Sequence, residues 1–491
     1  TIPAWSDMPD ELQPVLARQM EVYAGFLEHT DHHVGRLVDA LAELEILDDT
    51  LVYYILGDNG ASAEGTVNGT FNESFSLNGV GLETVEFMAS RIADFGTPAA
   101  NNHYAVGWAH AMDTPYQWTK QVASHWGGTR NGTIVQWPNG FRARGEVRSQ
   151  FHHVIDVAPT VLEAAGLPAP TSVNGVQQMP LHGVGMRYSF DDVQAAERHQ
   201  TQYFEMLVNR GIYQQGWTAV TRHSTPWLLD EPPALEDDVW ELYAPGDWTQ
   251  ARDLSSQMPD RLRDLQRLFL VEAARYNVLP LDDRRVERLN ADLAGRPQLV
   301  RGNSQLLFGD MRRLSENSVL VIKNKSFAVS AQVVVPERGA RGVVIAQGGR
   351  FGGWSLYAHE GRLAYCYNLF GMRRFKVYGD APIPSGEHQL RLEFAYEGGG
   401  LGKGGQATLY VDGRQVGQGH VAATQPMVFS ADETTDLGTD TGTPVSDDYG
   451  SKDSVFNGSV RWVQIDLGPD AQSQDHLIAP EDRLRVAMMR Q

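Results

Sequence analysis

Apolar positions Leu12, Leu16, Met20, Tyr23, Leu27, Val34, Leu37, Val38, Leu41 and Leu44 recur at helical spacing. They predict one long amphipathic helix, with Gly25 and Gly35 as places for a bend. Asp48-Asp49-Thr50 then turns the chain into LVYYILG, Leu51 to Gly57, an uncharged run rich in β-branched and aromatic residues. Such a run predicts an interior parallel strand. Residues 62–118 are rich in Asn, Gly, Ser and Thr with weak periodicity, which predicts a long irregular segment of the active-site-lid kind. Thr133 to Trp137 predicts a short strand. Asp156 is a candidate cap for a helix through Val157, Thr160, Val161 and Leu162, with Gly166 as its stop signal. Tyr203 to Val208 and Ile212 to Val220 flank Asn209-Arg210-Gly211, a hairpin signal. Met258 to Arg275 returns to helical spacing.

The pattern changes near residue 280. Leu279 to Pro297 is charged and Pro-containing, as in a linker. From about 300 to 467 the chain alternates apolar and polar positions between glycines, in stretches such as SFAVSAQVVV, ATLYVDGRQVG and GSVRWVQIDL. Short, regularly spaced strands of this kind predict an all-β sandwich. Gly398 to Gly405 and Thr434 to Gly450 read as surface loops. The expected organisation is therefore an α/β region at 1–285, a linker at 286–299, a β-sandwich at 300–470 and a charged tail at 471–491.

Composition narrows the partners. The chain has 491 residues and a formal net charge of -20, which argues against nucleic acid or an anionic membrane surface. An anionic substrate would then need a local cationic site. No uninterrupted apolar stretch reaches the roughly 18 residues of a transmembrane helix. The opening TIPAWSDMPDELQP has no basic region, apolar core or initiator Met, so the chain is expected to begin inside a longer or processed polypeptide. The single cysteine, Cys366, excludes an intramolecular disulfide and leaves the compartment undecided, cytoplasm or periplasm. It reads as a small core hydrophobe.

Two places carry candidate chemistry. Asp58 and Asn59 close the run at Leu51 to Gly57, at the carboxyl end of a strand, where open α/β sheets place ligands. Two adjacent hard oxygen donors suit calcium, or magnesium; Asp-Asn-Gly is equally turn chemistry. Lys120 lies in WTKQVASHWGGTRNG, Trp118 to Gly132. Beside a metal-binding strand end its ammonium offers a point charge for an oxyanion, and Gly127-Gly128 permits close backbone approach. A lone lysine is otherwise a surface residue.

The stretches ARQMEVYAGFLEHTDHHVGRLVDALAELEILDDTLVYYILGDNGAS, KQVASHWGGTRNG, FHHVIDVAPTVLEAAGLP, YFEMLVNRGIYQQGWTAV and the block from Trp240 to Arg285 resemble the C-terminal half of the catalytic domain of type I sulfatases, in the alkaline phosphatase superfamily. The chain is most similar to large bacterial arylsulfatases with an added C-terminal β domain. The resemblance implies that Asp58 and Asn59 ligate calcium and that Lys120 contacts the sulfate group and ester oxygen of a small-molecule or glycan sulfate monoester. It assigns no ligand role to His125. One of His152 and His153 is expected to orient local backbone, and His32 and His33 to be structural or solvated.

The same resemblance implies parts that this chain lacks. The family's nucleophile is a formylglycine made from the cysteine of Cys-x-Pro-x-Arg, and Cys366 is followed by Tyr367, Asn368, Leu369 and Phe370. The expected partner is thus an N-terminal half, and the chain alone is expected to hydrolyse little. A phosphatase or phosphonate monoester hydrolase on the same scaffold is the alternative enzyme. A third reading is a non-catalytic remnant whose concanavalin-like or laminin-G-like sandwich binds carbohydrate or protein. Trp354, Tyr357, Tyr365 and Tyr367 could stack on sugars, but strand aromatics are more often core.

Overall fold

A computed structural model describes residues 2–79, 83–227, 232–295, 297–468 and 476–478. The tail expected at 471–491 lies, apart from 476–478, outside the described residues. The chain forms two compact units, one of residues 1–71 and 83–283 and the other of residues 72–82 and 284–491.

In the first unit the helical periodicity yields α1 (Gln13–Glu43), unbroken through Gly25 and Gly35. Its first turns are buried: Leu12, Val15 and Leu16 pack with Met8, Phe71, Met88, Phe95 and Ala105. Beyond them Phe26, Leu27 and Leu37 are exposed. β1 (Val52–Leu56) follows. It differs from the interior parallel strand expected at Leu51 to Gly57. It pairs antiparallel with β2 (Gly132–Gln136), Val52 opposite Gln136 and Leu56 opposite Gly132, in a two-stranded sheet. Ile55 and Leu56 point to opposite faces and both are exposed, Leu56 at 50%. An apolar run reports that both faces suit burial, not which segment covers them.

The segment from 62 to 118 is not loose. Within it, α2 (Ser74–Leu77) belongs to the second unit, whereas α3 (Val85–Ser90) and α4 (Val106–Asp113) pack in the first. Ala63, Tyr104, Val106 and Ala109 form a small core with Trp227. After α5 (Trp126–Thr129), α6 spans Val157–Ala165 and stops at Gly166, whose φ of 67° is the left-handed conformation that glycine tolerates. Asp156 does not cap α6 with its side chain. Its buried carboxylate instead accepts His153 N–H, Val184 N–H and His199 Nδ1.

A two-residue ribbon, β3 (Ser172–Val173) with β4 (Val176–Gln177), precedes a four-stranded antiparallel sheet. It comprises β5 (Thr201–Met206), β6 (Asn209–Gln214), β7 (Trp217–Thr221) and β8 (Trp240–Tyr243) in sequence order. The hairpin turn falls at Leu207-Val208, both at positive φ, not at Asn209-Arg210-Gly211, which lies inside β6. The reason is tertiary: Asn209 is buried, donates to the Gln121 carbonyl, and accepts His223 and Ser224 N–H. α7 (Pro259–Arg275) covers the sheet, with Leu265, Phe269 and Ala273 against Ile212, Ala219 and Leu242.

In the second unit, α8 (Ala291–Ala294) precedes the two sheets. One sheet has the order β17-β16-β15-β10-β19-β9, the other β14-β13-β12-β11-β18. Their strands are β9 (Ser304–Phe308), β10 (Phe327–Val335), β11 (Gly342–Gly349), β12 (Gly352–His359), β13 (Arg362–Leu369), β14 (Arg373–Pro382), β15 (Gly386–Tyr396), β16 (Lys403–Val411), β17 (Arg414–Ala423), β18 (Thr435–Leu437) and β19 (Ser459–Leu467). The inward residues of both sheets interdigitate: Val329, Ala331 and Leu392 from one, Ile345, Trp354 and Tyr365 from the other. Trp354, Tyr357, Tyr365, Tyr367 and Cys366 are all buried, so these aromatics are core and not a sugar platform. The stretch Thr434 to Gly450 is not a loose loop either. It contains β18, and buried Asp440 accepts Val445 N–H and the Tyr449 hydroxyl. Asn72 and Asn78, beside α2, bond Phe370, Met427 and Val428 in this unit. Among the described residues no helix is long and apolar enough to cross a membrane.

Candidate functional site

The end of β1 and the segment carrying Lys120 are fastened backbone to backbone. Gly60 N–H donates to the Gly128 carbonyl at 3.1 Å, and Lys120 N–H to the Ala61 carbonyl at 3.0 Å. The approach is so close that a Cβ on Gly60 would fall 1.6 Å from the Gly127 carbonyl oxygen, and one on Gly127 2.1 Å from that of Trp118. Glycine is required at both places. Asn131, at the mouth of β2, clamps the turn by donating to the Leu56 and Asn59 carbonyls at 3.1 and 2.8 Å.

Asp58 is exposed and Asn59 half-buried. Asn59 Nδ2 donates to the Gly60 carbonyl at 2.8 Å, which leaves its Oδ1 available. No described residue hydrogen-bonds or ion-pairs with the Asp58 carboxylate. Two adjacent hard oxygens are thus open, and this donor chemistry fits a calcium-type ion. It is an incomplete set, since among the described residues no three His, Cys, Asp or Glu side chains are grouped to hold a metal.

The Lys120 ammonium is paired with Glu64, Nζ to Oε2 at 2.7 Å. Gln121 Nε2 donates to Glu64 Oε1 at 2.6 Å and Ser62 Oγ to Oε2 at 2.9 Å. Burial pushes the Glu64 carboxyl up, but the hydrogen bond and charge of Lys120, with Gln121 and Ser62, outweigh it and hold the group below the usual carboxylate range. Glu64 is therefore ionised at neutral pH. His103 sits against Gly65, where a Cβ would be 2.7 Å from its Nδ1. Burial holds its ring below the ordinary histidine range, offset in part by the Tyr104 carbonyl. Asp113 accepts Ala61 N–H on Oδ1 at 2.9 Å, while its buried Oδ2 has no partner. Burial pushes this carboxyl up to about 7, against the lowering effect of that hydrogen bond.

Glu64, Gln121, His103 and Asp113 were not singled out from sequence. A carboxylate eight residues past a strand end, or one closing a short helix, carries no local mark of its partner. His125 is fully buried between Ser124 Oγ and Glu241 Oε2, each at 2.9 Å, a structural position. His153 does orient backbone, accepting Ile155 N–H at 3.4 Å. His32 and His33 are exposed on α1.

Residues 4–167 match the sulfatase family model. An uncharacterized sulfatase of Schizosaccharomyces pombe is 29% identical over 287 residues, 57% of this chain and 48% of that protein. An arylsulfatase of Klebsiella aerogenes is 27% identical over 185 residues, 37% of each. The chain thus spans less than half the length of these curated relatives. Among solved structures, CBM40 of a Ruminococcus gnavus IT-sialidase, bound to α2,3-sialyllactose, aligns over 36% of this chain and 97% of its own, at 15% identity and TM-score 0.26. Domains LG4-5 of the mouse laminin α1 chain align over 35% of this chain and 41% of theirs, at 17% identity and TM-score 0.22.

Proposed function

We propose, from the premise that residues 4–167 are a sulfatase-family domain, that this chain is the part of an arylsulfatase-type sulfuric ester hydrolase that holds a divalent cation and the sulfate group. The observation that carries the reading is the fastening of the Asp58-Asn59 strand end to the Lys120 segment.

Asp58 and Asn59 would hold calcium, or magnesium, through their side-chain oxygens. When bound, such an ion supplies positive charge to the sulfuryl oxygens. The Lys120 ammonium, with one N–H on Glu64, has two left to donate to the sulfate and to the departing ester oxygen. The contact to the ester oxygen strengthens as charge moves onto it. The nucleophile is assigned to an N-terminal half outside these residues. The apolar side chains exposed on both faces of β1, at Ile55 and Leu56, and on β2 at Ile134 support such a covering segment, because apolar surface of this kind gains by burial.

The test is co-expression with the N-terminal half of an arylsulfatase, assayed on 4-nitrophenyl sulfate with calcium. The chain alone is expected to be inactive and the pair active, with Asp58→Ala and Lys120→Met each lowering the rate at least about a hundredfold. Turnover by the chain alone, or full activity in the Lys120→Met pair, would overturn the proposal.

A further inference from the structure

The donors that converge on Glu64 are those an oxyanion site uses: an ammonium, a carboxamide N–H and a hydroxyl. Glu64 is thus an anion already resident beside Lys120. Its side chain and that of Lys120 are about equally accessible, at 30% and 31%, so the pair is open to solvent instead of lying sealed in the core. Any anion that reaches Lys120 also meets this carboxylate. The charge of Lys120 is already matched by Glu64, so each further negative charge on the incoming group is opposed. A sulfate monoester carries one negative charge. A phosphate monoester carries nearly two at neutral pH, since its second ionisation lies near pH 6.

We propose that Glu64 determines specificity at the Lys120 site, its carboxylate favouring monoanionic sulfate monoesters over dianionic phosphate monoesters. This rests on Lys120 being the anion contact. A second negative charge about 6 Å from the carboxylate, at an effective dielectric of about 40 for a half-open site, costs about a factor of ten in affinity. Gln121 and Ser62 hold the carboxylate in place, so it does not swing away when the anion arrives.

The experiment is calorimetric binding of 4-nitrophenyl sulfate and 4-nitrophenyl phosphate to the full chain in calcium buffer, with the same aryl group on both probes. Glu64→Gln keeps the size of the side chain and removes its charge. It is expected to shift the affinity ratio about tenfold towards the phosphate ester at about pH 7.5. Glu64→Asp, which keeps the charge, should leave the ratio near that of the unsubstituted chain. In the unsubstituted chain, phosphate-ester affinity should also rise as pH falls through about 6, and this rise should flatten in Glu64→Gln. Lys120→Met should weaken both probes. If Lys120→Met weakens both probes but Glu64→Gln leaves the ratio and pH dependence unchanged, the specificity role is overturned and the Lys120 assignment stands. If neither probe binds, or Lys120→Met changes nothing, the assignment falls and the specificity role falls with it.

Discussion

The β unit and the first unit spend their apolar residues differently. In the β unit the inward side chains of two sheets close on one another, and Trp354, Leu356, Tyr365 and Val463 are essentially inaccessible. In the first unit, burial is divided among small clusters around the start of α1, around Tyr104 and under α7. Meanwhile Leu37, Ile55, Leu56 and Ile134 stay in contact with solvent. The candidate site lies in this less closed unit, at the end of the two-stranded β1–β2 ribbon. Sandwich strands find their partners within a contiguous stretch of chain. A strand with two apolar faces needs layers on both sides, and a two-stranded ribbon does not supply them.

Three measurements would break or sharpen this contrast. The largest effect is expected from Trp354→Ala, which removes a fully buried indole and its bond to Gln347. It should cost about 3–5 kcal/mol in the unfolding transition of the β unit, read by urea titration. A cost below about 1 kcal/mol would mean that the sandwich core is not closed.

The second concerns Asp113. The folded carboxyl keeps its proton up to about pH 7, whereas its reference value is 3.8. Between these values the native state holds more protons than the unfolded chain, so stability falls as pH rises through that window and is level above it. Asp113→Asn removes the buried charge, and its Oδ1 can still accept Ala61 N–H. It should stabilise the first unit by about 2 kcal/mol at pH 8, allowing for partial exposure, and by almost nothing at pH 4. Equal effects at both pH values would show that the buried oxygen is solvated. The smallest effect is expected from Leu56→Gln on the exposed ribbon, which should change stability by no more than about 0.5 kcal/mol while lowering binding of an apolar dye. A loss of 2 kcal/mol or more would show that Leu56 is already packed, and would weaken the argument for a covering segment.

Much of the fold was legible where a single periodicity runs unbroken. α1, α7 and the sandwich strands follow from spacing alone, and so does the existence of a strand just before Asp58. The site was legible in part. Asp58, Asn59 and Lys120 stand out because a short uncharged run and a glycine pair flank them. Glu64 does not, because an acidic residue in ASAEG has the same local appearance whether it meets Lys120 or water. The turn at Leu207-Val208 was hidden for a related reason. Asn-Arg-Gly is the better turn sequence, but the buried bonds of Asn209 hold it in β6 and leave two apolar residues to take the left-handed turn.

By itself the amino-acid sequence determined which faces are apolar, where helices and strands run, and that an acid and an amide end a strand. These are local matters of backbone propensity and side-chain spacing. Only the tertiary structure decided that Lys120 is paired with Glu64, that β1 runs antiparallel to β2, and that Thr434 to Gly450 joins the sandwich. Each depends on which distant group reaches a given polar atom or apolar face first, and the cost of leaving that atom unpaired is settled by the whole fold.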